Sequence, residues 1–150
     1  MQQINTHSME QSVELGKKLA KLLKPGDVVT LEGDLGAGKT TFTKGIALGL
    51  GIKQTLSSPT FTIIKEYRDG QLPLYHMDAY RLEYAEEDLG FDEYFSGDGI
   101  SIVEWAQFIE DYLPADRLDI VVAYQGEHER TFHFKPSGTH FEQAVAELLS

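Results

Sequence analysis

Hydrophobic residues in the first part of the chain change from helical spacing to a continuous run. Leucines recur at helical spacing between Leu15 and Leu22, and Ser8-Met9-Glu10-Gln11 in front of them has the spacing of a capping box. Pro25-Gly26 is typical of a helix end, and the mainly apolar residues 27–32 are typical of a short buried strand. The pattern therefore predicts one helix and one strand before residue 33.

The rest of the chain alternates strand-like and helix-like segments. Residues 60–67 and 72–77 are strand candidates, and Arg68-Asp69-Gly70-Gln71 between them predicts a turn, so we expect an antiparallel hairpin. The other predicted elements are helices over residues 39–50, 84–95, 105–113 and 141–149, and strands over residues 100–103, 118–124 and 130–135. This order predicts one α/β domain over residues 1–150, with a mixed, mostly parallel sheet and helices on both faces.

Composition and charge narrow the classes of function. The chain has no cysteine, which excludes disulfides and thiol chemistry and suits a reducing cytoplasm. Its 13 basic and 24 acidic residues give a formal charge of −11, whereas proteins that bind nucleic acid directly present a basic surface. The first residues lack the features of a signal peptide, and no apolar run reaches transmembrane length. We therefore expect a cytoplasmic protein that binds neither a membrane nor, directly, a nucleic acid.

A glycine-rich loop follows the first predicted strand. Residues 33–40, here called the glycine loop, read GDLGAGKT and fit the pattern G-x-x-x-x-G-K-[ST] between a strand and a helix. Glycines let backbone N–H groups approach the phosphates of a nucleotide, and the N-terminus of the next helix adds partial positive charge. The residues predicted to contact the nucleotide are Gly33, Asp34, Leu35, Gly36, Ala37, Gly38, Lys39, Thr40 and Thr41.

Two residues of the loop have distinct expected roles. Lys39, which we expect to face solvent when no ligand is bound, can reach the β- and γ-phosphates, and the Thr40 hydroxyl can join the ligands of Mg²⁺. The competing interpretation is a tight strand-to-helix turn with a surface lysine. The match favours a nucleotide with Mg²⁺ as cofactors. The nucleotide is expected to be ATP, because the Asn-Lys-x-Asp stretch that usually confers guanine specificity does not occur.

Two carboxylates are candidates for holding or orienting Mg²⁺ and its water molecules, since each follows a predicted strand. Glu104 comes directly after the apolar residues 100–103, and Asp78 follows the strand candidate 72–77. For each, the competing interpretation is an acidic cap of the helix that follows. We expect His76 to lie beside Asp78.

Other segments have two open interpretations each. Residues 57–62 are either a nucleotide-sensing switch or a polar loop that opens a strand. Trp105, the only tryptophan, is either close to the nucleotide site or a core residue. Residues 83–93 place acidic side chains around Leu89 and Phe91, forming either a solvated helix face or a docking surface for a basic partner.

Four stretches in one order, GDLGAGKTTFTKGIALGLG, SSPTFTI, YHMDAYRL and IVEWA, closely resemble the bacterial TsaE family, the small ATPase of tRNA threonylcarbamoyladenosine synthesis. The resemblance covers about residues 33–105 and implies a P-loop NTPase-like fold. It also implies an ATPase that is slow alone and stimulated by its partners TsaB and TsaD, and that reaches tRNA only through their complex.

The resemblance also implies roles for individual residues. Lys39 would bind phosphate, Thr40 and Glu104 would ligate Mg²⁺, and Asp78 would be catalytic together with Lys39 and Glu104. Trp105 would lie beside the site or at the partner interface. Two other functions remain open at this point: a small-molecule kinase, which the scattered positions of the four arginines disfavour, and an ATP-switched binding module with little hydrolysis.

Overall fold

The computed structural model describes residues 2–33, 38–56, 64–80 and 90–150. The strands are β1 (Gln2–Thr6), β2 (Val28–Glu32), β3 (Ile64–Tyr67), β4 (Leu74–Asp78), β5 (Ile100–Glu104), β6 (Arg117–Tyr124) and β7 (Arg130–Ser137). The helices are α1 (Met9–Ala20), α2 (Lys39–Gly49), α3 (Phe91–Phe95) and α4 (Thr139–Leu149), and a 3₁₀ helix covers Ala106–Tyr112.

Most predicted elements are present, with two differences, and two predicted elements extend outside the described residues. The polar residues QQINT form β1, which the hydrophobic pattern does not indicate, because this edge strand is held by backbone pairing with β7 and only Ile4 and Thr6 are shielded from solvent. The helix expected over residues 105–113 is a 3₁₀ helix interrupted at Ile109, which has φ −129°. The strand expected over residues 60–67 is described only as β3, and the acidic helix expected over residues 84–95 only as α3, since residues 57–63 and 81–89 lie outside the described part of the chain.

The strands form one mixed sheet in the order β1-β7-β6-β2-β5-β4-β3. The central strands β6, β2, β5 and β4 pair in parallel through three ladders. Three antiparallel ladders add β7, β1 and β3 at the edges. The predicted β3–β4 hairpin is confirmed, but "mostly parallel" holds only for the centre of the sheet, because hairpins and β1 build both edges.

Helices lie on both faces of this sheet, as predicted. The larger core packs α1, α2 and α4 against one face, with Leu19, Phe42 and Phe132 fully buried there. A smaller core packs α3 and the 3₁₀ helix against the other face, around Phe91 and Met77. The strands β2, β4 and β5 alternate between the two cores, as expected for strands buried on both faces.

Helix α1 begins with a side-chain cap and crosses α2 at very short range. The hydroxyl of Ser8 accepts a hydrogen bond from the Gln11 amide, while the Gln11 side chain accepts one from the amide of His7 rather than Ser8. A Cβ atom placed on Gly45 of α2 would lie only 2.3 Å from the carbonyl oxygen of Val13 in α1. The glycine of α2 therefore allows backbone-to-backbone contact, which seats α2 firmly against α1.

The parallel centre of the sheet determines where a ligand site can form. The carboxyl ends of β2, β4, β5 and β6 share one edge, and α2 starts from that edge after β2. In open α/β sheets, ligands bind outside the carboxyl ends of parallel strands. Within the described ranges, no helix combines the length and the apolar composition that crossing a bilayer demands.

Candidate functional site

Three side chains meet where β5 ends and α2 begins. Glu104, the last residue of β5, places Oε1 3.5 Å from Nζ of Lys39, the first residue of α2. The other carboxylate oxygen, Oε2, lies 2.7 Å from Nε2 of His76. His76 is fully buried, and the side chains of Lys39 and Glu104 are each only 11% exposed. A largely buried carboxylate is therefore held between two nitrogen donors.

The surroundings of Glu104 keep it ionised. Burial raises the pKa of its carboxyl, but the hydrogen bond and charge of His76 and the charge of Lys39 together outweigh burial, so the pKa lies below its ordinary value of 4.5. A carboxylate accepts hydrogen bonds, so Nε2 of His76 carries the proton in this contact. Glu104 is thus a charged carboxylate held in one orientation at the edge of the sheet.

The two candidate carboxylates are neighbours across the sheet. Asp78, the last residue of β4, pairs in register with Glu104, and the amide of Ala79 donates to the Glu104 carbonyl at 2.9 Å. Oδ1 of Asp78 accepts from the Tyr80 amide at 3.0 Å, so this side chain hydrogen-bonds the backbone two residues further on, while the start of the helix expected to follow lies outside the described residues. Glu104 instead uses its side chain to contact Lys39 and His76. His76, which was expected to support Asp78, makes its hydrogen bond with Glu104 instead.

The glycine loop is described only at its two ends. Gly33 follows β2, and Gly38 is the N-cap of α2 with φ +102°, a left-handed conformation that favours glycine. No side chain of the described residues caps α2. Lys39, Thr40 and Thr41 form its first turn and are half-buried. Asp34, Leu35, Gly36 and Ala37 lie outside the described residues.

The sequence predicted that Lys39 faces solvent, but its side chain is largely buried. Its ammonium group lies between the Glu104 carboxylate and the indole of Trp105, whose ring centroid is 5.5 Å from Nζ. An opposite charge and an aromatic face both attract a cation, so the lysine folds back against the sheet edge. From this position it remains beside the start of α2.

Trp105 lies at the site and not in the core. It is 39% exposed, and its ring packs 4.9 Å from that of Tyr80 and 6.1 Å from that of Phe108. Its φ of 58° makes it the one non-glycine residue of the described ranges with positive φ. A bulky residue in this region stores backbone strain of about 1–3 kcal/mol, and such strain is concentrated at functional sites.

A cleft of about 470 Å³ runs along this edge of the sheet. It is lined by Gly33, Lys39, Trp105, Gln107 and the last residues of β6, up to Tyr124. This volume is in the range of small-molecule and cofactor sites. The sequence prediction missed Gln107 and Tyr124, because neither belongs to a quoted motif and only the packing of the 3₁₀ helix and β6 along this edge brings them to the cleft.

The residues present fit a nucleotide and a partly protein-held Mg²⁺. A lysine, glycines and a helix N-terminus without a side-chain cap stand at one end of the cleft. Among the described residues, no group of three or more histidine and acidic side chains is arranged to hold a metal ion. Mg²⁺ commonly takes one or two carboxylates and completes its shell with phosphates and water, so Glu104 with Thr40 suits it better than a closed cage would.

Two further expectations concern segments that lie wholly or mostly outside the described residues. The proposed switch over residues 57–62 lies outside the described residues, as does most of the acidic segment 83–93. Within α3, Phe91 and Phe95 are buried in the smaller core, and the Tyr94 hydroxyl donates to Glu66 at 3.1 Å. These aromatic side chains therefore stabilise the fold and do not form an exposed surface.

Comparison with known proteins gives consistent results. The family model described as "Threonylcarbamoyl adenosine biosynthesis protein TsaE" matches residues 6–132. A protein of Bacillus subtilis (strain 168) named tRNA threonylcarbamoyladenosine biosynthesis protein TsaE is 57% identical over 143 residues, which cover 95% of this chain and 90% of that protein. A protein of the same name from Nostoc sp. is 38% identical over 94% of this chain and 87% of its own length. The crystal structure of Bacillus subtilis YdiB superposes with a TM-score of 0.85 at 51% identity, covering 99% of this chain and 93% of that one.

Proposed function

The chain belongs to the TsaE family of threonylcarbamoyl adenosine biosynthesis proteins, and from this premise we propose that it is a P-loop ATPase that binds and hydrolyses MgATP to support tRNA modification. The observation that carries the proposal is the contact between Lys39 and Glu104 at the carboxyl edge of the sheet, 3.5 Å apart, where Lys39 lines a cleft of about 470 Å³.

The charges at this contact suit a phosphate group with its metal. Lys39 and the first amides of α2 bind the β- and γ-phosphates, and the Lys39 ammonium exchanges the Glu104 carboxylate for phosphate oxygens when the nucleotide enters. Glu104, which His76 holds by a hydrogen bond, and the Thr40 hydroxyl are the residues that would hold Mg²⁺. When bound, Mg²⁺ neutralises charge that develops on the phosphates.

Asp78 is placed for a role beside Glu104. The two residues end adjacent parallel strands in register, so both carboxylates emerge at the same edge. Asp78 is half-buried, and its Oδ1 is fixed by the Tyr80 amide. We assign Asp78 to orienting the attacking water, with Glu104 at the metal and Lys39 on the phosphates.

We further propose that the protein works with TsaB and TsaD and contacts tRNA only through them. The formal charge of −11 disfavours direct binding to an RNA backbone, while a complex with partners that hold the tRNA is compatible with it. Turnover is slow alone and stimulated by the partners. This role places the protein in the cytoplasm, where tRNAs are modified.

Phosphate release from MgATP tests the enzymatic part of the proposal. The wild-type protein should release phosphate slowly, and faster when purified TsaB and TsaD from the same organism are added. Lys39→Ala should abolish tight ATP binding and turnover while keeping its circular dichroism spectrum. Lys44→Ala, which removes an exposed lysine of the same helix, is the matched control and should behave as wild type.

The opposing outcomes are distinct. A folded Lys39→Ala variant with unchanged ATP affinity and turnover would remove the phosphate-binding role of the glycine loop. Transfer of the γ-phosphate to an added metabolite instead of water would make the protein a kinase. Nucleotide binding with no hydrolysis, even with TsaB and TsaD present, would make it an ATP-switched binding module.

A further inference from the structure

The hairpin between β6 and β7 lies at the end of the cleft that is opposite Lys39. β6 ends at Tyr124 and β7 begins at Arg130, and these two residues pair directly across the antiparallel ladder. The Tyr124 side chain is 56% exposed and lines the cleft. Since Val122 of β6 packs in the larger core, strand alternation places Tyr124 on the sheet face that carries α2.

The Arg130 side chain packs between this hairpin and Gly38, at the end of the glycine loop. Its guanidinium carbon lies 4.3 Å from the centroid of the Tyr124 ring. Nη1 of Arg130 donates to the carbonyl oxygens of Gly126 and Glu129, each at 2.9 Å. A Cβ atom on Gly38 would lie 3.6 Å from Nε of the same arginine. Arg130 is therefore anchored by its own loop, covers one face of the Tyr124 ring and abuts the start of α2.

The strand order sets the distance between the two ends of the cleft. Lys39 contacts Glu104 at the end of β5, and Tyr124 stands at the end of β6, with β2 between them. Two strand spacings amount to about 10 Å. An extended nucleotide whose phosphates lie at Lys39 and the start of α2 therefore reaches the β6 end of the edge with its sugar and base.

We propose that Tyr124 is the aromatic platform for the nucleotide base and that Arg130 positions its ring. This inference rests on the proposed nucleotide-binding function and extends it to the base. The tyrosine face opposite Arg130 offers a flat apolar surface, and bases of any identity stack on such a face. An exposed tyrosine on a hairpin is ordinary by itself; the arginine that fixes its ring, beside the glycine loop and at the rim of the cleft, is what distinguishes this one.

Comparing ADP with inorganic pyrophosphate isolates the base. Isothermal titration calorimetry in Mg²⁺ measures both ligands on the wild-type protein and on each variant. Tyr124→Ala should weaken ADP binding roughly tenfold, the effect of losing one stacked aromatic ring, and leave pyrophosphate binding unchanged. Tyr124→Phe should retain wild-type affinity for ADP. His128→Ala, an exposed residue of the same hairpin loop, is the matched control and should change neither ligand.

Arg130 is tested in the same assay. Arg130→Ala should reduce ADP affinity selectively, and the Tyr124→Ala, Arg130→Ala double variant should bind ADP no more weakly than Tyr124→Ala alone, because both changes remove the same platform. Additive losses, or an equal loss of pyrophosphate affinity, would overturn the positioning role of Arg130.

The outcomes for the platform separate it from the proposed function. If wild type binds ADP and pyrophosphate but Tyr124→Ala, still folded, binds ADP equally well, the nucleotide site stands and the platform is overturned. An equal loss of both ligands in Tyr124→Ala would also overturn it, since the residue would then act on the phosphates or on the fold. Should wild type bind neither ligand, the proposed function and this inference both fail.

Discussion

Replacing Gly45 with alanine sets two effects of opposite sign against each other. Gly45 lies in α2, and alanine at an exposed helical position would stabilise a helix by about 1 kcal/mol relative to glycine. Here, however, the added Cβ would lie 2.3 Å from the carbonyl oxygen of Val13 and 3.0 Å from its Cα and carbonyl carbon. These are backbone atoms of α1, so no side-chain rotation can relieve the contact.

The magnitude follows from the displacement that the methyl group requires. To restore ordinary contact distances, the two helices must separate locally by about 1 Å, a gap that forfeits a quarter to a half of the dispersion energy of the atoms facing it. Overpacking of this kind costs about 1–3 kcal/mol, and the rigid surroundings favour the upper end of that range. After subtraction of the helical gain, we expect a net loss of about 2 kcal/mol. For a chain of this size the melting temperature should fall by about 4–8 °C.

Thermal and urea unfolding followed by circular dichroism measure this loss. Lys44→Ala, the exposed neighbour in the same helix, is the control and should stay within about 0.5 kcal/mol of wild type. Because α2 also carries Lys39, its displacement should weaken ATP binding in the folded Gly45→Ala protein. A Gly45→Ala variant that is as stable as wild type, or more stable, would refute the close backbone contact between α1 and α2.

Three further predictions concern the cleft. Glu104→Gln should raise the Mg²⁺ concentration needed for ATP hydrolysis, whereas Asp78→Asn should slow hydrolysis with nucleotide still bound. A titration of the hydrolysis rate against Mg²⁺ distinguishes the two variants. A normal rate for Asp78→Asn would exclude the catalytic role of Asp78. Ionised Glu104, whose pKa is lowered in the folded state, stabilises the ligand-free protein above pH 4.5 and loses this effect as the pH falls through the lowered pKa. His76→Leu removes the side chain that hydrogen-bonds Glu104 and raises the pKa of Glu104, so acid unfolding without nucleotide or metal should begin at higher pH, and an unchanged acid midpoint would contradict the role of His76. Trp105, the only tryptophan, should change its fluorescence on addition of MgATP because its ring lies 5.5 Å from the Lys39 ammonium; emission that ignores nucleotide would place the indole away from the bound ligand.

Some features of the fold could be predicted because their causes are local. A continuous apolar run followed by glycines and a helical pattern defines β2, the glycine loop and α2, and the turn residues at 68–71 define the β3–β4 hairpin. Glu104 could be placed at a strand end for the same reason, since the apolar run stops there. These signals depend on backbone propensity and periodicity within a few residues, which the chain carries whatever its tertiary partners are.

Other features were decided only by tertiary structure. The polar strand β1 exists because β7 offers an unpaired edge, and no periodicity within residues 2–6 records that. The partner of His76 is Glu104 because β4 and β5 are adjacent in a particular register, although the two residues are 28 positions apart in the chain. Lys39 is drawn into the cleft by a carboxylate and an indole from another strand end, and Arg130 reaches Gly38 because β7 pairs with β6. Local sequence determines which segments become strands and helices, but strand order and register determine which side chains meet, because those pairings are set by packing between segments that are distant in the chain.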